Sequence, residues 1–233
     1  MQDATADRKS NHFHKEHKDP NLPYPNGIRS LLFISKGLKY GLIAFVPLTA
    51  FQTLIVVYAL IDLDAYLAFY YDLSSTYPSV DWVFIGVSMI HRLVYLYCIV
   101  FSSWLLFRAA RNIHTVAPGQ MKTQPHWAWL WFFIPIANFF KPYESVIEID
   151  RITRENTGIG PGSNPLIITW WVLFIGAIFF GSTVFTLPGE NMIQISLSLE
   201  LVAGVAAIIA AILIIRITSD LAQNQQHLQV DGV

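Results

Sequence analysis

Four stretches of the chain are apolar runs long enough to cross a bilayer, whose hydrocarbon core of about 30 Å needs roughly 20 helical residues. They lie at about residues 41–61, 82–107, 165–187 and 192–215. The first, GLIAFVPLTAFQTLIVVYALI, carries no charge, and Pro47 within it predicts a bend near its start. The second holds His91 and Arg92, the third is uncharged throughout, and Glu200 is the sole charge of the fourth. The pattern predicts an all-α integral membrane protein with four transmembrane helices.

A fifth apolar run, WAWLWFFIPIANFF at 127–140, has 14 residues, half of them aromatic. As a helix it reaches only about 21 Å, Pro135 interrupts it, and Lys141 and Pro142 close it. Its tryptophans favour the headgroup level. It is expected to be a cytoplasm-side re-entrant or interfacial segment, covered by other helices where its backbone is not helical. A fifth true span is the alternative, and it places Arg151, Arg154 and Arg216 outside, against the charge rule. Residues 143–155, YESVIEIDRITRE, predict a surface helix with Glu148–Arg151 and Asp150–Arg154 spaced for weak ion pairs. Residues 127–155 thus form one interfacial motif, and NTGIGPGSN at 156–164 is a turn-rich linker.

Composition agrees with lipid as solvent: 54% of the 233 residues are hydrophobic and 13% charged, about half the charged share of a soluble domain. Mean hydropathy is +0.45. A net charge of -1 excludes a strongly basic nucleic-acid binder, so no nucleic-acid partner is expected. One cysteine, Cys98, excludes an intrachain disulfide.

The first 30 residues have no apolar core of a signal peptide, so the first span is expected to stay in the protein. Orientation follows from Lys and Arg, which are retained on the cytoplasmic side. Arg8, Lys9, Lys15, Lys18, Arg29, Lys36 and Lys39 precede span one, and Arg108, Arg111, Lys122, Lys141, Arg151 and Arg154 occupy the central loop. Arg216 follows the last span, whereas loops 62–81 and 188–191 carry only acidic charges. Both termini are therefore expected in the cytoplasm, with the protein in the inner membrane. The chain divides into a disordered cytoplasmic tail at 1–37, a membrane domain at 38–217 and a second cytoplasmic tail at 218–233.

Two intramembrane charges fall at one depth. Arg92 lies 16 residues before Arg108 and Glu200 lies 16 before Arg216, in spans running the same way. Glu200 shares a helical side with Ala203, Gly204, Ala207 and Ala211, small residues that admit close helix approach. Arg92 has Ser88, Tyr95 and Ser103 at helical spacing. An Arg92–Glu200 ion pair near the outer end of the bundle is one expectation, and snorkelling of Arg92 with solvent exposure of Glu200 is its alternative; a formed pair reads as a structural lock, with a solute pathway as the second reading.

Other chemistry is thin. His12, His14 and His17 sit in a charged segment without apolar periodicity, where disorder is expected rather than a metal site. No metalloprotease, nucleophile-elbow, phosphate-loop or paired-cysteine pattern occurs. No catalytic residue, cofactor or metal is expected.

The central loop and its flanks carry a specific series: Arg108, Ala109 and Asn112; Gly119 and Met121; Pro125, Trp127 and Ala128; Pro135, Asn138, Lys141, Pro142 and Tyr143; then Glu148, and the pair Trp170 and Trp171. In order and type this resembles the bacterial membrane-protein family described as domain of unknown function 4328, over most of residues 40–217. Trp104 lies four before Arg108 where the family pattern has three, and Trp129-Leu130 stands where a glycine is frequent. The resemblance implies a multi-pass bacterial membrane protein with a special cytoplasm-facing motif, and supplies no reaction. Physics suggests two roles for that motif. Asn138, the sole polar side chain of the aromatic run, is placed to satisfy backbone groups freed by the proline breaks. Alternatively the aromatics lie in headgroups while Lys141, Arg151, Arg154, Arg108 and Arg111 meet anionic lipid or a membrane-protein partner. The reading is a non-enzymatic envelope scaffold or interaction module. A small-solute or ion transporter is the second reading, and an intramembrane enzyme the third.

Overall fold

The computed structural model describes residues 28–76, 79–134, 136–160, 162, 164–182 and 190–228. His12, His14, His17, Pro135 and the end of the third expected span lie outside the described residues. Among the described residues every regular element is helical: α1 (Leu32–Ile61), α2 (Leu63–Thr76), α3 (Ser79–Val116), α4 (Pro125–Leu130), α5 (Lys141–Thr157), α6 (Asn164–Ser182) and α7 (Glu190–Asn224). Single 3-10 turns form at Trp131–Phe133, Ala137–Phe139 and Gln225–His227.

Three helices are long and apolar enough to cross a membrane: α1, the Ile85–Val116 part of α3, and α7 from Ile193 onward. The apolar part of α6, Pro165–Gly181, is shorter. Segment 62–81, expected as a loop, contains α2. Asp62 ends the apolar run of α1, and its carboxylate caps the next helix by accepting the Ala65 N–H at 2.9 Å, with Asp64 in the positive first turn.

The contacts divide the chain into two compact units. One, the apolar unit, comprises Gly37–Val100 and Pro165–Ile217. Its helices bury small and polar residues among larger apolar ones, and many of its large apolar side chains are exposed. Leu54, Ile61, Leu93, Val172 and Val202 are all more than half exposed, while Thr49, Ala59, Ala203, Ala206 and Ala210 are buried. That inversion of the water-soluble pattern suits lipid as the outer solvent. Gly41 lies against the Tyr97 ring and Gly204 against the Thr53 side chain, so each marks a close approach of two helices. Below Pro47 the Thr49 hydroxyl donates to Phe45 O at 3.0 Å. Its single proton is thereby used, so His91 Nε2, 3.0 Å from Thr49 Oγ1, is the N–H donor of that contact. Phe45 stacks on the His91 ring at 5.0 Å.

The other, the motif unit, comprises described residues 28–36, Phe101–Asn164 and 218–228. Here α3 and α7 continue well past the expected spans, to Val116 and Asn224. The reason is a change of periodicity that the cations conceal. Leu105, Ala109, Asn112 and Ile113 in α3, and Thr218, Leu221 and Ala222 in α7, recur at three- and four-residue spacing and are buried. Ile28, Leu31, Gln225 and Leu228, expected in the two tails, are buried in this unit as well.

The α5 helix is amphipathic. Pro142 occupies its first turn, Gly158 ends it in the left-handed conformation at φ 68°, and Val146, Ile149, Ile152 and Thr153 form the buried stripe.

Candidate functional site

The motif residues between Arg108 and Glu148 fall into an inward set that builds the motif unit and an outward set that lines a groove. The inward set centres on Asn112, 1% exposed. Its side-chain amide pairs with a backbone: Oδ1 accepts the Arg29 N–H at 3.0 Å and Nδ2 donates to Arg29 O at 2.9 Å. Nδ2 also donates to Gln225 Oε1 at 2.8 Å. Gln225 Nε2 in turn donates to Ala109 O at 3.2 Å and to Thr153 Oγ1 at 3.1 Å. Four separated segments meet in this buried, well-satisfied network. Ala109 is fully buried; its small side chain fits a site where α3 offers a carbonyl to a neighbour.

The turn after α3 is fixed from both sides. Gly119 takes φ 85°, which suits glycine, and Met121 two residues on is buried. Glu148 of α5 accepts the N–H of Lys122 at 2.7 Å and of Thr123 at 3.4 Å. His114 Nε2 lies 3.1 Å from Thr123 O, and a carbonyl can only accept, so this nitrogen carries the proton. Glu148 is therefore a clamp on two backbone amides rather than the partner of Arg151 that its spacing suggests.

Pro125 opens α4, and Ala128 is fully buried beneath it. Trp127 and Trp131, one turn apart, stack at 4.5 Å with 24° between their planes. Two 3-10 turns then carry the chain to α5, and the Asn138 N–H bridges back to Ile134 O at 2.7 Å. The Asn138 side chain does not do what its position suggests: its Oδ1 is enclosed without a hydrogen-bond partner. The backbone closes its own bonds through the 3-10 turns, leaving that oxygen without a donor. The aromatic segment 127–140, here termed the aromatic hairpin, exposes apolar side chains, with Phe133 57%, Ile136 80% and Phe140 64% exposed.

Between the Lys122–Trp131 segment and α5 lies an open groove of about 760 Å³. Trp127, Trp131 and Tyr143 supply aromatic surface, Lys122, Lys141 and Arg151 cationic groups, and Glu144 and Glu148 carboxylates. Several of these charges are engaged. Lys141 Nζ meets Glu144 at 2.6 Å, and Arg151 meets Glu155 at 2.8 Å, both exposed pairs. Beside the groove the expected Asp150–Arg154 pair is formed at 3.0 Å and is largely buried. Arg108 lies over the Trp104 ring at 5.7 Å, a contact that the four-residue separation of the two permits on one helix face.

Of the remaining expected residues, Trp170 and Trp171 are buried in the apolar unit, where both contact Phe174. Arg92 and Glu200 are both exposed. The ion pairs among the described residues do not include one between them. On α3 it is His91 that faces Thr49 and Phe45; a step of about 100° turns Arg92 away from that side. Glu200 stands on the side of its buried alanines, but in the first turns of α7, where neighbouring residues are largely uncovered. Gln225 and Thr153 were not singled out by sequence reasoning; Gln225 is hidden in the polar run QNQQH. Among the described residues no group of three or more His, Cys, Asp or Glu is placed to hold a metal.

A fold that is all-helical among the described residues, with three helices apolar and long enough to cross a bilayer, is that of a membrane protein, and its motif residues from Arg108 to Glu148 gather in one helical unit. The chain belongs to the family described as domain of unknown function (DUF4328), whose model matches residues 75–223. The match takes in α3 through α7, including the end of α7 beyond the expected boundary at 217, and leaves out α1. No curated protein and no solved structure matches the chain.

Proposed function

We propose that this protein is a four-span inner-membrane scaffold, with both termini in the cytoplasm, whose motif unit is an interaction module at the cytoplasmic membrane surface. The fourth span in this reading is α6, whose apolar part of 17 residues reaches about 26 Å, enough with its flanks for a thin crossing. An even number of crossings keeps every Lys- and Arg-bearing segment outside the spans on one side. The aromatic hairpin then lies at the interface of that side.

The single observation that carries the reading is the division of labour among the motif residues. Asn112, Ala109, Met121, Ala128 and Glu148 are spent on building the unit, while Trp127, Lys141 and Tyr143 line an open groove. The groove's acids and bases are also engaged: Glu148 holds amides, and Lys141 and Glu144 hold each other. Glu148, committed to two amides, is not a free acid or base for proton transfer, and the exposed Lys141–Glu144 pair suits exchange with a charged ligand group.

The test is a double substitution, Trp127→Ala with Tyr143→Ala, expressed in a strain lacking the protein, beside reporter fusions after Asp72 and Val233. The expected result is normal insertion, a cytoplasmic signal at Val233, a periplasmic one at Asp72, and no rescue of the phenotype that loss of the protein gives that strain. Full rescue by the double variant removes the groove from the function, and a periplasmic Val233 removes the topology.

A further inference from the structure

The groove's charges are mixed, and that bears on what it takes. Of the five cations expected to meet anionic lipid, Lys141, Arg151 and Arg154 each lie against a carboxylate. The groove itself sets Lys122, Lys141 and Arg151 beside Glu144 and Glu148, so both signs of charge line it. A purely anionic headgroup satisfies the cations alone and lies against the carboxylates as a like charge. The Lys141–Glu144 pair has its two groups 2.6 Å apart and about half exposed, beside the stacked Trp127 and Trp131. Such a pair is weak in water, so each member is free to exchange its partner for a ligand group of the same charge.

A zwitterionic phospholipid headgroup offers both in a fixed order, a phosphate and, a few bonds away, an ammonium. We infer that the groove binds the headgroup of an ammonium-bearing zwitterionic phospholipid, phosphate on Lys141 and Lys122, ammonium on Glu144 and the tryptophan surface. Aromatic surface attracts an ammonium ion, most when it is partly desolvated. A volume of about 760 Å³ is ample for such a headgroup. The neighbouring hairpin supplies the other half of lipid recognition, since Phe133, Ile136 and Phe140 present the apolar surface that acyl chains cover. The inference rests on the interfacial placement proposed above.

The experiment uses the full chain reconstituted in vesicles of equal phosphatidylethanolamine and phosphatidylglycerol, then extracted in mild detergent, with the retained lipid quantified. Wild type is expected to retain the ethanolamine lipid at least threefold over the glycerol lipid. Lys141→Gln with Glu144→Gln, two exposed positions whose joint neutralisation leaves no lone charge, is expected to abolish the preference while helicity and monodispersity hold. Equal retention by wild type, preference for the glycerol lipid, or an unchanged preference in the double variant overturns the inference. A separate measurement keeps the two readings apart: an environment-sensitive dye at Ile136→Cys in a Cys98→Ala background, quenched by nitroxide-labelled lipid. Quenching without headgroup preference sinks this inference alone, whereas no quenching sinks the interfacial placement on which it rests.

Discussion

Asn112 and Gln225, 113 positions apart in sequence, are joined by a buried 2.8 Å hydrogen bond between their side-chain amides. Each amide is also committed elsewhere, Asn112 to both backbone groups of Arg29 and Gln225 to Ala109 O and Thr153. The pair thus ties the chain before α1, the end of α3, the middle of α5 and the segment after α7 into one unit. A family motif residue that sequence reading places in a cytoplasmic loop is in fact the centre of a polar core.

Removing either amide strands the groups it serves. A buried donor or acceptor left without a partner costs about 1–3 kcal/mol, and Asn112→Ala removes three hydrogen bonds at once, two part-buried ones to the Arg29 backbone and the buried one to Gln225 Oε1. We expect Asn112→Ala to destabilise the protein by roughly 2–4 kcal/mol, and Gln225→Ala by less. The double variant is expected to cost less than the sum, because the bond between them is lost in either single. Thermal unfolding in detergent, followed as loss of helicity, measures all three; strict additivity contradicts a shared network.

Glu148 makes a different prediction because its partners are backbone amides. Glu148→Ala frees the N–H groups of Lys122 and Thr123 to exchange with solvent, and Glu148→Gln keeps an acceptor but loses the charge that strengthens the bond. Hydrogen exchange at 117–124 is expected to accelerate at least tenfold in the alanine variant and by a smaller factor in the glutamine variant. Exchange within α3 is expected to stay within twofold. Unchanged protection of the Lys122 amide removes the clamp.

How much of this was legible in the sequence depends on which solvent each residue meets. The apolar runs of α1, α3 and α7 show in composition alone, because lipid-facing positions such as Leu54, Leu93 and Val202 must be apolar whatever they pack against. Pro142 and Gly158 likewise announce the ends of α5. The ends of α3 and α7 were hidden, since Arg108, Arg111 and Arg216 read as a membrane edge although the helices run on under a new periodicity. α2 was hidden because Asp62 serves at once as the stop of one helix and the cap of the next. The motif's logic was legible only in part. Trp127, Lys141 and Tyr143 could be read as a surface, but nothing local shows that Asn112 finds its partners at Arg29 and Gln225. Asn138 looked like the polar anchor of the hairpin because it is alone among aromatics, yet its Oδ1 has no partner.

Gly119 gives a backbone prediction. At φ 85° a side chain costs about 1–2 kcal/mol for ordinary residues and less for asparagine. No atom stands within 4 Å of where its Cβ would lie, so the penalty is conformational rather than steric. Gly119→Ala is expected to lower stability by that amount, with Gly119→Asn recovering about half. Equal stability of the alanine and glycine forms in detergent unfolding places the turn in another conformation.

Gly41 and Gly204 make the complementary, steric case in the apolar unit. At Gly41 a Cβ meets the Tyr97 ring and the Cys98 sulfur, and at Gly204 it meets the Thr53 side chain. Tyr97 is held, since its hydroxyl donates to Gly37 O at 3.2 Å, and Thr53 is held by its own bond to Thr49 O at 2.8 Å. A methyl group at either glycine must therefore move a side chain that has somewhere better to be. Thr53 can rotate at the cost of one hydrogen bond, whereas the Tyr97 ring can retreat only by giving up its bond across to Gly37. Gly41→Ala is accordingly expected to cost more than Gly204→Ala, about 1–3 kcal/mol against about 1. The pairing with a second variant separates sterics from helix propensity, which alanine improves at both sites. Tyr97→Phe with Gly41→Ala is expected to recover part of the loss, because the ring is then free to shift. If Gly41→Ala proves as stable as the wild type in detergent unfolding, α1 and α3 do not pack at the distance described.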